Sequence, residues 1–217
     1  MAKGTVTKGV GAKGTGAKGT GATGDAANGR APESTGTTRD AAASPRWIAL
    51  LRGVNVGGIT IRSADLRDVF DGLGASDVRT VLASGNVLFT ASGARATWKR
   101  RIERALRDRF GYDAWIILLT RDELAAVAAS FPFDEDDADR HPYIVFCADD
   151  EVHAQVRDAA TAAAGDDEPV AAGDGVVYWH ARTGTSTTSP VARALARAAF
   201  RTGTTTRNLR TVQKMLG

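Results

Sequence analysis

A chain of 217 residues, 43% of them hydrophobic, can form one large or two small domains, and no apolar run approaches the roughly 18 to 20 residues that span a bilayer. Its one cysteine, Cys147, excludes an internal disulfide framework and a cysteine-rich zinc site. The net charge of +3 hides an acidic middle: residues 134–174 carry 13 acidic and two basic side chains, whereas residues 176–217 carry seven basic side chains and no acid. We expect a cytoplasmic protein that does not bind membranes.

This charge asymmetry has three interpretations. The acidic and basic segments attract each other, or the acidic segment only keeps the protein in solution. In the third interpretation, the basic segment faces a phosphate-bearing ligand.

The first 45 residues are of low complexity, with lysine at positions 3, 8, 13 and 18. Such a segment buries too little apolar surface to offset the entropy lost on ordering, so we predict that residues 1–45 are disordered. Either its lysines form a weak nucleic-acid tether, or the segment is a dispensable or misassigned extension. Ser44-Pro45 marks its end, because the residue before a proline is pushed towards an extended conformation.

The next segment, residues 46–133, has the pattern of a ferredoxin-like βαββαβ unit. Its last strand is continuously apolar, which indicates a strand that is buried on both faces or is central. The predicted strands are Arg46–Arg52, Val78–Ala83, Val87–Thr90 and Ala114–Leu119, and the predicted helices start at an N-cap Ser63 and span Ala94–Phe110.

This topology brings two polar loops together. A right-handed crossover makes the first two strands parallel, so the loop after each strand lies at the same end of the sheet. These loops are residues 52–58, which contain three glycines, and residues 84–86. We therefore expect them to be neighbours in space, with the link at residues 111–113 at the same end.

The rest of the chain, residues 134–217, repeats a β, α, β, β, α order. Thr120 and Glu123 have the spacing of a capping box, and Ser189-Pro190 is a strong helix start. The predicted elements are a helix from Thr120 to about Ser130, strands at Tyr143–Ala148, near Val170 and at Val176–Ala181, and helices over Asp150–Ala164, from Ser189 and after Thr206. The fold class is thus α+β, with two ferredoxin-like (βαββαβ-type) halves, a disordered N-terminal tail and C-terminal helices.

Arg207 falls in the first turn of the last predicted helix. The helix dipole disfavours a cation there by up to about 1 kcal/mol. An anion bound at this helix start would explain the arginine. Otherwise Arg207 pairs with the acidic segment or points into solvent.

Four segments resemble a bacterial family known as domain of unknown function 1697. They are Ile48–Gly58, Asp77–Thr80, Ser84–Phe89 and Thr205–Val212. The resemblance covers most of residues 46–216 and implies an α+β protein of two ferredoxin-like halves with no established activity. The family commonly has Arg-Ser-Lys at the start of the penultimate helix, where this chain has Thr188-Ser189-Pro190, so any phosphate bound there in relatives needs other cations here, such as Arg193 or Arg207.

No catalytic residues can be assigned from the sequence. The three histidines have no ligand spacing with one another, and no His and acid pair can be assigned to activate Ser84. The glycine-rich loop lacks both the Walker A and the dinucleotide-binding patterns. We predict no metal and no cofactor, and the sequence leaves enzymatic activity and oligomeric state undecided.

We predict one composite polar site that binds a phosphorylated small molecule or a nucleotide. The alternatives are a nucleic-acid-binding protein that uses Arg193, Arg197, Arg201, Arg210, Lys214 and the N-terminal tail, and a structural or interaction protein without catalysis. The predicted ligand-binding residues are Arg52, Asn55, Gly57, Gly58, Ser84, Gly85, Asn86, Ser189, Thr206, Arg207 and Asn208.

Overall fold

The computed structural model describes residue 14 and residues 44–53, 60–82, 85–111 and 113–217. Residues 42–217 form one compact unit. The predicted disorder of residues 1–45 therefore falls almost entirely outside the described residues.

The first half is a ferredoxin-like unit followed by one further helix. Its four strands form an antiparallel sheet in the order β2-β3-β1-β4, in which β3 lies between β1 and β2 as the sequence predicts. The elements are β1 (Arg46–Leu51), α1 (Ser63–Gly72), β2 (Ser76–Thr80), β3 (Asn86–Thr90), α2 (Arg95–Phe110), β4 (Ile116–Thr120) and α3 (Arg121–Ala129).

The second half repeats this plan. Its sheet has the order β6-β7-β5-β8, which is the order of the first sheet with each strand replaced by its counterpart. The elements are β5 (Arg140–Cys147), α4 (Asp150–Ala163), β6 (Val170–Ala172), β7 (Val176–Arg182), α5 (Pro190–Leu195), a 3-10 helix (Ala198–Phe200), β8 (Thr204–Asn208) and α6 (Leu209–Leu216). Two ferredoxin-like halves, each followed by a helix, confirm the predicted fold class.

Three hydrophobic clusters hold the layers together. One packs α1 and α2 on the outer face of the first sheet, and another packs α4 and α5 on the outer face of the second. Between the inner faces of the two sheets lies the third, which contains Ile48 and Leu50 from β1, Ile144 and Phe146 from β5, and the apolar side of α6. The two halves thus share a core, which fixes the end of β1 against β8.

Strand β4 lies at the edge of the first sheet, with both faces covered. Its backbone N–H groups at Ile116 and Thr120 point away from β1. The first donates to Glu103 Oε1 at 3.2 Å and the second to Glu123 Oε2 at 2.8 Å. The apolar run therefore marks a strand buried on both faces, not a central one.

Helix starts follow the sequence signals in two cases of three. Thr120 and Glu123 form the predicted capping box, and the hydroxyl of Ser189 accepts from the N–H of Ala192 at 3.0 Å. Ser63, by contrast, is the first helical residue, and Arg62 occupies the N-cap without a side-chain bond. Ser63 points to the right place but is one position too late to cap the helix.

Two predictions about the C-terminal segment are wrong. Residues 204–208 form a strand, where the last helix was predicted to begin after Thr206, because their β-branched threonines pair with β5. The spacing of Arg193, Arg197 and Arg201 at i, i+4 and i+8 predicts one stripe on the helix from Ser189. Helix α5 ends at Leu195, however, so the three arginines do not share one helix. No helix in the described part of the chain is long and apolar enough to cross a membrane.

Candidate functional site

The ends of the first and third strands meet at one point, as the topology predicts. The N–H of Leu51 donates to the carbonyl of Gly85 at 2.8 Å, and the N–H of Arg52 donates to the carbonyl of Trp115 at 3.1 Å. These bonds bring the start of the glycine-rich loop, the turn before β3 and the start of β4 to the same end of the sheet. We call the group formed by Arg52, Gly85, Asn86, Thr204 and Arg207 the junction.

Arg207 crosses from the second half to the first. It pairs with Ile144 across β8 and β5, so its side chain points to the inner face of the second sheet. Its Nε donates to Asn86 Oδ1 at 2.6 Å, and its Nη2 donates to the carbonyl of Leu51 at 2.6 Å and more weakly to that of Gly85 at 3.5 Å. The guanidinium thus binds the ends of β1 and β3 together.

The remaining donors of Arg207 bond within β8. Its Nη1 donates to Thr205 Oγ1 at 2.7 Å and to the carbonyl of Thr206 at 2.9 Å. A buried charged group is tolerated only when its polar atoms are satisfied, and Arg207 is 8% exposed. All three of its nitrogens are used, so Arg207 holds the junction rigid.

Asn86 is the partner of Arg207 in the first half. It is fully buried, and its Nδ2 donates to the carbonyl of Val81 at 2.8 Å while its Oδ1 accepts from Arg207. The amide thereby joins β8 to the segment between β2 and β3.

Arg52 makes the reciprocal connection. Its Nη1 donates to the carbonyl of Thr204 at 2.5 Å and to Thr204 Oγ1 at 3.1 Å, and the Thr204 hydroxyl in turn donates to the carbonyl of Phe200 at 2.9 Å. Arg52 is only partly buried. One arginine from each half therefore reaches into the other, and Arg52 is the more accessible of the two.

The predicted site residues divide into three groups and one separate residue, Ser189. Arg52, Gly85, Asn86 and Arg207 come together at the junction, whereas Asn55, Gly57, Gly58 and Ser84 lie outside the described residues. Thr206 contributes its carbonyl, and Asn208 caps α6 by accepting from the N–H of Arg210 at 2.9 Å.

Ser189 is not part of the junction. Its helix packs in the cluster that contains Val145 and Trp179, on the outer face of the second sheet, whereas Arg207 is on the inner face. Ser189 is buried and caps helix α5, so a bound ligand is not needed to explain a serine at this position.

The reason given from the sequence for an anion near Arg207 is wrong. Arg207 lies in a strand, two residues before α6 begins, so the helix dipole does not act on it as assumed. Thr204 and Thr205 were missed as structural partners. The run of β-branched residues and the need for a sixth element in the second ferredoxin-like unit are the signals that could have revealed them.

A cleft of about 530 Å³ lies between β4, α3 and the ends of β5 and β7. Arg95 and Lys99 line it, and each pairs with a carboxylate: Arg95 with Glu123 at 2.5 Å, and Lys99 with Glu103. Both cations of the cleft are thus paired with carboxylates, which offset their charge. Its Cys147 is buried, and burial together with nearby Asp149 raises the pKa of the thiol to about 12.

No group of three or more His, Cys, Asp or Glu side chains that could hold a metal ion occurs among the described residues. His141 and His180 lie on neighbouring strands, and His153 lies on α4, where its Nε2 is 3.0 Å from the carbonyl of Val176.

Fold and junction define an α+β protein of two ferredoxin-like halves, joined at the ends of two sheets by a reciprocal pair of arginines. The chain belongs to the family described as "Protein of unknown function (DUF1697)", which it matches over residues 45–178. This match contains Arg52 and Asn86 but ends in β7, before Thr204 and Arg207.

A solved structure has a similar fold. It is that of the conserved bacterial protein SP0830 from Streptococcus pneumoniae, which is 23% identical, with a TM-score of 0.69 over 81% of this chain and 100% of that chain. At this identity the similarity concerns the fold alone. The chain matches no curated protein.

Proposed function

We propose that the protein binds a phosphorylated small molecule or a nucleotide at the junction. The observation that supports this proposal is that two arginines, Arg52 and Arg207, each bond across to the other half near the point where the glycine-rich loop leaves β1. Arginine is suited to phosphate because its planar fork of N–H groups can bind two oxygens at once.

The two arginines have different roles in this proposal. Arg207 is buried and saturated with hydrogen bonds, so it positions the ends of β1 and β3. Arg52 is partly exposed and contacts the phosphate. The further donors predicted at Asn55, Gly57 and Gly58 lie outside the described residues.

The experiment is a thermal shift screen of nucleoside mono-, di- and triphosphates and sugar phosphates, with the corresponding nucleosides and sugars as controls. A ligand at 100 times its Kd stabilises the protein by about 2.7 kcal/mol. We expect stabilisation only by phosphorylated compounds, loss of at least tenfold in affinity in Arg52→Ala, and none in Arg104→Ala, which removes an exposed arginine of α2.

Two results would count against the proposal. One is equal stabilisation by phosphorylated and unphosphorylated compounds, or none by either. The other is binding of a single-stranded oligonucleotide that falls steeply with salt, is lost on deletion of residues 1–41 and is unaffected by Arg52→Ala, which would favour the nucleic-acid alternative.

A further inference from the structure

A second cationic pocket lies at the opposite end of β1 from the junction. It has a volume of about 320 Å³ and is formed by the start of β1, the end of β3, part of β2, the start of α3 and the end of α6. Three arginines, Arg46, Arg79 and Arg121, line it, together with one carboxylate, that of Asp77. We call it the arginine pocket.

Two of these arginines lie on the inner face of the first sheet, on either side of β3. Arg46 pairs with Thr90, and Arg79 pairs with Leu88, whose side chain belongs to the cluster between the sheets. Since neighbouring strands are roughly 4.8 Å apart, the two backbones are separated by roughly 10 Å across the sheet. Long arginine side chains can approach one anion from both sides over that distance.

A β-bulge places Arg79 on this face. Ser76 and Arg79 are three residues apart, but their partners Thr90 and Leu88 are only two apart, so the register shifts between them. Within the bulge, Asp77 has a φ of +53°, a left-handed conformation that is uncommon for residues other than glycine. Without the bulge, Val78 would occupy the position opposite Leu88, so the distortion exchanges an apolar side chain for an arginine.

The arginines of the pocket are open to a ligand. Arg46 and Arg79 are exposed, and neither side chain forms a hydrogen bond or ion pair within the described part of the chain. Arg121 is fixed at the rim, where its Nη2 donates to the carbonyl of Leu216 at 2.5 Å. Asp77 also lines the pocket and forms no ion pair within the described part of the chain.

We propose that the arginine pocket binds a small polyphosphate, a diphosphate or triphosphate group, through Arg46, Arg79 and Arg121. Arginines outnumber carboxylates among the lining side chains by three to one, so the pocket favours an anionic ligand over a neutral one. Guanidinium groups bind phosphate oxygens in pairs, and three of them around one cavity favour a ligand with several such oxygens. The site is separate from the junction and does not depend on it.

Isothermal titration calorimetry of the full chain with inorganic pyrophosphate, at constant ionic strength, tests the site. We expect one pyrophosphate per chain, with affinity reduced at least tenfold in Arg46→Ala and in Arg79→Ala. Arg79→Lys keeps the charge but loses the fork, so its affinity should fall between those of the native chain and Arg79→Ala. Inorganic phosphate should bind more weakly than pyrophosphate.

Two matched variants serve as controls. Arg104→Ala removes an exposed arginine that lines neither cationic site, and Arg52→Ala alters the junction. Pyrophosphate affinity should stay within twofold of the native value in Arg104→Ala, whereas Arg52→Ala reports any pyrophosphate that binds at the junction. Circular dichroism of each variant confirms the fold.

Three outcomes would overturn the assignment. They are no heat of binding at millimolar pyrophosphate, native affinity in both Arg46→Ala and Arg79→Ala, and an equal loss in Arg104→Ala, which would mean that pyrophosphate responds only to overall charge. If Arg52→Ala alone abolished binding, pyrophosphate would be bound at the junction instead.

Discussion

The Nε atom of Arg207 lies 2.6 Å from Oδ1 of Asn86, although 121 positions separate the two residues. Each belongs to a different half, and both are buried. This single bond, with the parallel one to the carbonyl of Leu51, connects the last strand of the second half to the middle of the first sheet.

Replacing Arg207 should therefore destabilise the whole fold. Arg207→Met keeps much of the volume but leaves the oxygens of Asn86 and Leu51 without this donor. Since a hydrogen bond to a charged group contributes about 1.5–3 kcal/mol, we expect the free energy of unfolding to fall by about 3 kcal/mol in urea denaturation. Arg104→Met, on an exposed face, should change it by no more than about 0.5 kcal/mol. A loss below about 1 kcal/mol in Arg207→Met would contradict the structural role.

Tyr178 makes another connection between the halves. Its hydroxyl donates to the carbonyl of Val127 in α3 at 2.8 Å. Tyr178→Phe should cost about 1 kcal/mol of unfolding free energy, because the partly buried carbonyl loses its partner. Tyr143→Phe is the matched control: the Tyr143 hydroxyl has no hydrogen bond within the described residues, so stability should be unchanged. Equal effects of the two substitutions would refute this assignment.

His180 should make stability depend on pH. It is 4% exposed and stacks on Phe133 with ring centroids 5.4 Å apart, and burial lowers its pKa although Asp137 acts in the opposite direction. The unfolded chain, with an ordinary histidine pKa of about 6.5, then binds a proton more readily than the folded chain. The stability that neutral His180 contributes is therefore fully present above the unfolded pKa of about 6.5. It is lost as the pH falls from there through the lower pKa of the folded state.

Urea denaturation between pH 5 and 8 measures this dependence. We expect the fall in stability towards pH 5 to be smaller in His180→Phe than in the native chain. His141 is a partly exposed histidine on the neighbouring strand. The stability of His141→Gln should fall towards pH 5 as much as that of the native chain. If the stability of His180→Phe fell towards pH 5 as steeply as that of the native chain, groups other than His180 would cause the pH dependence.

Gly203 packs where no side chain fits. A Cβ there would lie 2.7 Å and 2.9 Å from the two methyl groups of Val152, whose branched side chain has little freedom to move. Gly203→Ala should destabilise the protein by about 1–3 kcal/mol. At Gly165 a Cβ meets nothing within 4 Å, and Gly165→Ala should be neutral or slightly stabilising. Thermal unfolding of both variants distinguishes steric conflict from a general effect of alanine.

The thiol of Cys147 should be unreactive in the folded protein. With a pKa of about 12 it is almost entirely protonated at pH 8, and only the thiolate reacts. We expect alkylation by iodoacetamide to be at least about a hundredfold slower in the native chain than in urea, as followed by mass spectrometry. Rapid labelling of the native chain would show that β5 opens locally.

Local sequence signals predicted much of this structure. The capping box at Thr120 and the N-cap at Ser189 depend on neighbours within three residues, and both form as expected. The meeting of the loops after β1 and β2 followed from topology alone, because right-handed crossovers leave few alternatives.

What the sequence did not reveal depends on long-range pairing. Residues 204–208 form a strand because they pair with one edge of β5. The local sequence of residues 204–208 does not reveal that this edge is available. Because of the same pairing, Arg207 lies on the inner face of a sheet, whereas the sequence predicted it at a helix start. Ser189 was grouped with the junction because its position relative to the second sheet could not be derived from capping signals. The bulge at Asp77, likewise, cannot be recognised from the alternation of apolar and polar residues along β2.

The two glutamates that bond to the backbone of β4 have a consequence for how this protein behaves at high concentration. An open strand edge is a template on which a strand from another molecule can add. Here Glu103 and Glu123 occupy the outward N–H groups at Ile116 and Thr120, and a strand approaching that edge would also meet their carboxylates. The strongly apolar strand at the margin of the sheet thus offers fewer free N–H groups to a strand from another molecule.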